Sequence, residues 1–444
     1  MLHLPRACQI QPTSWRRVPR AIITISSPVL FPNSFRNTYS TVAAENGNHV
    51  PVHIDARLND NRYRVVHLLG QSSFSTVWLA HDNLTSRYVA VKVCTADSDA
   101  ANRESEVLSR LGSVAMTTQH AGKSMIPTLR DLFTVSGPNG HHICLVSEPT
   151  RGSLEKARTP AYHPFPLDVV RSLAAQLALA VSFIHSQGLV HGDIRVNNAL
   201  VGFSPSACHI NNLSVPELYA KYGAPLAGNI DSPNGIAPID LFIPANELTL
   251  PQARLVLSDF RSSFDEEKEV RYQSHAPVGL HPPDLFLPPY PTLNFASDIW
   301  SLGAAIFEEY IIAEKALQAN GLNRIDAHGK RIIPTDWWDT NGYMNHLDWD
   351  PEDWDRHGYE FGCDWRYESG LSEIDTLESQ LHYRVLDPRG NEIGEEEFQM
   401  ILSMLRTLLA FKGADRPNAE GVLELEWMRK YALPAYEEAR RVWD

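Results

Sequence analysis

Asp193 and Asn198 stand five residues apart in the stretch "LVHGDIRVNNALV", residues 189–201, directly after a short apolar run. A second acid, Asp259, closes another apolar run in "VLSDF", and Lys92 is set among valines in "VAVKV". Glu104 follows that lysine twelve residues on. A carboxylate can take a proton from a hydroxyl, and amide and carboxylate oxygens are hard ligands of the kind Mg²⁺ requires. An ammonium flanked by apolar residues can grip phosphate. These types in this order read as the parts of a phosphoryl-transfer site.

The elements that must hold them follow from hydrophobic periodicity. "NRYRVVHLLG" and "STVWLAHD" are short β-rich runs joined by a small polar turn, which predicts a hairpin. "RYVAVKVC" extends the sheet. "DAANRESEVLSRLG" changes to helical spacing, with Val107, Leu108 and Leu111 on one face and Gly112 as its stop. "HHICLVSEP" is a further strand ended by Pro149. Beyond residue 150 the pattern turns helical. Val170, Leu173, Leu177, Val181 and Ile184 mark one long helix closed by Gly188. "NFASDIWSLGAAIFEEYII", "EEEFQMILSMLRTLLAFKG" and "AEGVLELEWMRKY" predict three more. The expected fold is α+β and bilobal, with a small β-rich N-lobe over 48–148 and a large, mainly helical C-lobe over 149–435. An insert at 203–253, rich in Pro, Ser and Asn, lies between the Asp193 loop and Asp259.

Composition narrows the partners. The chain has 53 Asp plus Glu against 39 Lys plus Arg, which argues against nucleic acid as a direct ligand. Its 5 cysteines form no CxxC pair, so a reduced compartment and no cysteine metal site are expected. No apolar run is read as long enough for a membrane span. Residues 1–47 form a basic tail: Arg6, Arg16, Arg17, Arg20 and Arg36 precede the first acid, Glu45. Such a segment reads either as a mitochondrial presequence or as a disordered basic tail.

The order of small-residue turn, strand lysine, helix carboxylate, Asp/Asn loop and Asp after a strand resembles the eukaryotic protein kinase superfamily, over about residues 62–432. The resemblance implies ATP and Mg²⁺ as cofactors and gives each residue a task. "GQSSFSTVWLA" occupies the place of the glycine-rich loop, where Gly70 and Ser72 would let backbone N–H groups approach the phosphates and Val77 would cover adenine. Lys92 would grip the phosphates and Glu104 would orient it, with Glu106 the rival partner. Ala90 would line the adenine site, and Glu148 would begin the hinge whose backbone reads the base. Asp193 would be the catalytic base, Arg195 would steady the transferred phosphate, and Asn198 and Asp259 would hold the metal ions.

The sequence "HGD" is shared with small-molecule phosphotransferases, but "SDIWSLG" and "HPPDLF" are similar to protein kinases. There Asp298 would bond the catalytic-loop backbone, and Asp284 would pair with Arg416. A narrower resemblance, carried by "FSTVWLA", "HINNLSVPELYAKYGAP", "ELTLPQARLVLSDF" and "RYQSHAPVGLHPPDLF", is to SR-protein kinases of the fungal type. It implies a monomeric serine/threonine kinase acting on Arg/Ser-rich splicing factors, in the cytoplasm or nucleus; the tail keeps mitochondrial targeting as the alternative.

Three details qualify these expectations. Gly192 replaces an arginine that ordinarily pairs with an activation-loop phosphate, so activity is expected without phosphate there, the charges of "DEEKEVR" ordering the segment instead. Arg261 stands where the family has a glycine, and a left-handed backbone there would cost roughly 1–2 kcal/mol. With so thin a glycine-rich loop, this leaves a pseudokinase acting as a binding scaffold as the alternative reading. Finally, acids interleaved with Trp337, Trp338, Trp349 and Trp354 over 336–366 either dock arginine or form a solvated loop.

Overall fold

The computed structural model describes residues 49–310, with breaks at 97, 159–163, 204–208, 226–235, 273, 275, 277–279 and 287–291, and residues 393–443, together with the strand Ile22–Thr24. The rest of the basic tail and the acid–tryptophan stretch 336–366 lie outside the described residues.

The N-terminal lobe is a seven-stranded sheet with a helix on one side. Its strands are β1 (Ile22–Thr24), β2 (Arg57–Leu58), β3 (Tyr63–Gln71), β4 (Ser75–Asp82), β5 (Arg87–Cys94), β6 (Asp131–Gly137) and β7 (Gly140–Ser147), in the order β1-β6-β7-β5-β4-β3-β2. All neighbours are antiparallel except β1 with β6. Alternation decides which face is buried: Val65, Trp78, Val89, Val91 and Val146 form one apolar layer.

Helix α1 (Asp99–Ala115) covers the other side, capped by the Ser98 hydroxyl, which accepts from Ala101 N. Val107, Leu108 and Leu111 are buried as the periodicity predicts. The helix does not stop at Gly112; it runs one turn fragment further to Ala115. A Cβ at Gly112 would meet nothing within 4 Å, so the residue sits on an open face and its poor propensity, about 1 kcal/mol, is overridden by packing.

The C-terminal lobe begins with β8 (Thr150–Ser153), α2 (Leu154–Arg158) and α3 (Leu167–Ser186). β9 (Leu189–Val190), β10 (Ala199–Gly202), α4 (Val215–Tyr222), β11 (Leu255–Leu257) and β12 (Phe264–Asp265) follow, then α5 (Phe295–Tyr310), α6 (Glu395–Leu408), α7 (Ala419–Leu423) and α8 (Leu433–Arg440). α3 is its axis, and Leu173, Leu177, Val181 and Ile184 are fully buried in the largest core cluster. By length and composition alone α3 would pass for a membrane span, contrary to the reading of the sequence, but 89% of its apolar window is buried inside the protein. It is a core helix.

The helix expected over "AEGVLELEWMRKY" is broken. α7 is a single turn, and Met428–Ala432 is a wider π turn leading into α8. Pro434 explains the widening, because it has no N–H to give the carbonyl four residues back.

Candidate active site

The cleft between the lobes is roofed by the β3–β4 turn. The Ser72 hydroxyl accepts from the backbone N–H groups of Phe74 and Ser75, both at 3.2 Å, so a serine does by side-chain bonding what a glycine would do by backbone freedom. This leaves Phe74 at the tip, 53% exposed. Below the turn, Val77 lies directly opposite Lys92 in the β4–β5 register, so both face the cleft, as does Ala90 two residues before Lys92. The ammonium of Lys92 lies 2.7 Å from each carboxylate oxygen of Glu104 and 3.4 Å from Asp259 Oδ1. Glu104 is buried and Glu106 is exposed, so the helix face alone chooses between the two. Burial opposes the charge on Lys92, but Glu104 and Asp259 outweigh it and hold the ammonium protonated well above its ordinary range. Glu148 follows β7 and turns its side chain outward to Arg130.

The catalytic-loop residues converge from the other side. Asn198 donates from its amide nitrogen to the carbonyl of Asp193 at 2.8 Å and to Asp193 Oδ2 at 2.9 Å. That fixes the amide plane and leaves its oxygen for another partner. Asp193 Oδ1 is buried, 3.1 Å from Arg195 Nε, yet accepts no hydrogen bond. The β10–β11 pairing sets Ala199 opposite Leu257, and Ser258 N donates to Asn198 O at 2.8 Å. Asp259, the next residue, is thereby delivered to the Asn198 side of the cleft. It takes a left-handed backbone, φ +70° and ψ +68°, while Phe260 is buried edge-on against His191 at 4.8 Å. Desolvation raises the Asp259 carboxyl, but Lys92 first and Arg261 next hold it below the usual range. The strain foreseen at Arg261 is absent: the left-handed residue is Asp259, and Phe260–Ser262 is a single 3₁₀ turn.

A cleft in which Lys92, Arg195 and Arg261 stand beside the Asp259 carboxylate and the oriented Asn198 amide is chemically suited to a triphosphate with Mg²⁺. Mg²⁺ keeps several waters and takes only one or two protein oxygens beside phosphate. Among the described residues no group of three or more His, Cys, Asp or Glu side chains forms a metal cage.

Residues 63–210 match the protein kinase domain family. That stretch is similar to a protein kinase domain, and it holds Lys92, Glu104, Asp193 and Asn198. It is 32% identical to the protein kinase dsk1 of Schizosaccharomyces pombe over 158 residues, 35% of this chain and 29% of that relative. It is 34% identical to a serine/threonine protein kinase of Aspergillus fumigatus over 180 residues, 39% and 44% of the two chains. It is 32% identical to the serine/threonine-protein kinase SKY1 of Saccharomyces cerevisiae over 172 residues, 37% and 23%. These matches span less than half the length of each relative. They agree with the bilobal fold, and the relatives are protein kinases, two of them named as serine/threonine kinases.

Three supports hold the kinase domain in shape. Asp298 on α5, fully buried, accepts from His191 N at 2.7 Å and Gly192 N at 2.9 Å, and lies 2.9 Å from His185 Nε2. This is the clamp on the loop backbone expected from "SDIWSLG". Arg416 donates to Asp284 Oδ1 at 2.7 Å and spends its other donors on the carbonyls of Ala296, Ala410 and Phe411. A fully buried guanidinium is tolerable because so many of its donors are met. The third support joins α1 to the segment after Asp259: Arg110 donates to Asp265 at 2.8 Å and to the Gln187 carbonyl, and Arg103 lies 3.7 Å from Glu269.

Reasoning from the sequence missed two contacts. His191 meets Phe260 edge-on, and Arg261 lies with its guanidinium 4.1 Å over the Phe74 ring. The second had one visible signal, the arginine at 261 where the resemblance has a glycine.

Proposed function

We propose that the chain transfers the γ-phosphoryl group of MgATP to a serine or threonine hydroxyl of a protein. The observation that carries this reading is Lys92, whose ammonium meets Glu104 at 2.7 Å and Asp259 at 3.4 Å at once. A lysine so gripped by two carboxylates is oriented toward the space between them, where phosphate oxygens would take part of its charge.

Asp193 serves as the base. Its Oδ1, with no hydrogen-bond donor of its own, accepts the proton of the substrate hydroxyl as that oxygen bonds to the γ-phosphorus. The bond from the γ-phosphorus to the bridging oxygen breaks and ADP departs with that electron pair. Arg195 stands beside Asp193 to steady the transferred group. Gly70, Ser72, Val77 and Ala90 would enclose the nucleotide, with the backbone after Glu148 reading the base. Asn198 and Asp259 would hold Mg²⁺, which supplies neutralisation of phosphate charge when bound. Arg/Ser-rich proteins are the substrate class, from the resemblance to SR-protein kinases; the acid–tryptophan stretch 336–366 is the candidate contact for their arginines. Cytoplasm or nucleus is the corresponding compartment.

The test is transfer of labelled γ-phosphate to an Arg/Ser peptide, with Asp193→Ala as control. Asp193→Ala lowers the rate by about 10²–10⁴-fold while nucleotide affinity is kept. Nucleotide binding with no transfer by the unaltered chain would replace the enzyme with a scaffold.

A further inference from the structure

Asp259 carries a cation on each of its two oxygens. Lys92 Nζ is 3.4 Å from Oδ1, and Arg261 Nε is 3.2 Å from Oδ2. The first is common ground for the family resemblance. The second is this chain's own, since a glycine cannot make it. The guanidinium plane then lies 4.1 Å over the ring of Phe74, which binds it to the roof of the cleft. Both residues line the crevice beneath the turn, about 290 Å³ with its open solvent included, together with Ser72, Lys92, Glu104 and Asp259.

The consequences are geometric. Nε faces Asp259 Oδ2 at 3.2 Å as an ion pair, and among the described residues no acceptor meets the two terminal NH₂ groups of Arg261. A guanidinium keeps its charge at every accessible pH and matches phosphate oxygens in pairs, unlike a lysine. A divalent ion that sought both oxygens of Asp259 would have to displace a partly buried cation that lies over the Phe74 ring. An ion content with one oxygen, plus the amide oxygen of Asn198, would leave Arg261 in place.

We propose that Arg261 is a resident phosphate-binding cation that takes the share of a second metal ion, so that nucleotide binding in this cleft depends only weakly on Mg²⁺. Phe74 positions it from the glycine-loop side. The inference rests on the nucleotide-binding reading above and adds to it which charges meet the triphosphate. It also accounts for the loss of the glycine after Asp259-Phe260.

The experiment titrates ATP into the full chain by calorimetry, once with Mg²⁺ and once with EDTA. It compares the unaltered protein with Arg261→Gly, Arg261→Lys and Phe74→Ala, with melting temperatures as the check on folding. The unaltered protein should bind in EDTA within about tenfold of its affinity in Mg²⁺. Arg261→Gly should weaken the EDTA affinity by about tenfold or more and change the Mg²⁺ affinity little. Arg261→Lys should restore part of the loss, and Phe74→Ala should lose part of it. An EDTA affinity unchanged in Arg261→Gly, with tighter binding in Mg²⁺, would make Arg261 a mere obstacle and overturn the proposal alone. Absence of binding in both buffers would overturn this proposal and the nucleotide-binding reading together.

Discussion

A Cβ at position 192 would lie 2.9 Å from the carbonyl oxygen of Ser262, and the backbone there has φ +80°. Both facts demand glycine. The sequence shows that the usual arginine is gone, and so that a phosphate partner for the activation segment is gone too; it does not show that no side chain fits. Restoring the arginine therefore installs no gate. Gly192→Arg should lower stability by roughly 1–2 kcal/mol from the backbone alone, read as a shift in the urea midpoint, and should lower activity whether or not the segment is phosphorylated. At position 261 the inverse holds. Arginine in a glycine's place suggests strain, yet the left-handed turn is taken by Asp259. Residue types state which conformations are cheap, and the path of the chain between β11 and the buried Phe260 decides where the turn falls.

At the scale of elements, the strands and helices that carry Lys92, Glu104 and Asp193 follow from period and capping, and the Lys92–Glu104 pair follows from the apolar face of α1. What joins α1 to the segment after Asp259 was legible only as a run of charges, "DEEKEVR", because its partners Arg103 and Arg110 lie far back in the chain. The hydrogen bonds from Lys268 first and Arg110 next hold the Asp265 carboxyl below its usual range. A carboxyl lowered in the folded state adds stability above its unfolded value, about 3.9, and that stability is lost as pH falls through the folded value. Asp265→Asn should thus cost no more than about 1 kcal/mol at neutral pH, since Lys268 is largely exposed and its bond screened. The difference from the unaltered protein should stay constant down to about pH 5, shrink as pH falls below the unfolded value and vanish only once the lowered folded carboxyl is itself protonated, as measured by denaturant unfolding across pH. A difference that persisted in acid would mean the asparagine disturbs packing and the charge does little.

At the scale of the whole molecule, the described parts of the insert at 203–253 bond to both lobes. The start of α4 is capped by Ser214, which donates from its backbone N–H and its hydroxyl to the Glu217 carboxylate. Its partners are far away in sequence. Tyr219 donates its hydroxyl to the Val66 carbonyl, Tyr88 N donates to Asn211 Oδ1, and Ile239 N donates to the Leu68 carbonyl, at 2.8–2.9 Å. Leu218 is fully buried in a cluster with Val66, Leu79 and Tyr88. The insert leaves the C-terminal lobe after β10, which follows Asn198, and returns at β11, which precedes Asp259, so it ties the Lys92 face of the N-terminal sheet to the floor of the active site. Leu218→Ala should cost about 2–3 kcal/mol, the lower part of the range for a buried leucine, because the cluster is small and near the surface. If α4 is a brace between lobes, that loss appears with weaker nucleotide binding, since Lys92 and Asp259 are then less firmly held at one distance. If α4 only covers apolar surface, the melting temperature falls and nucleotide affinity, measured well below it, does not move.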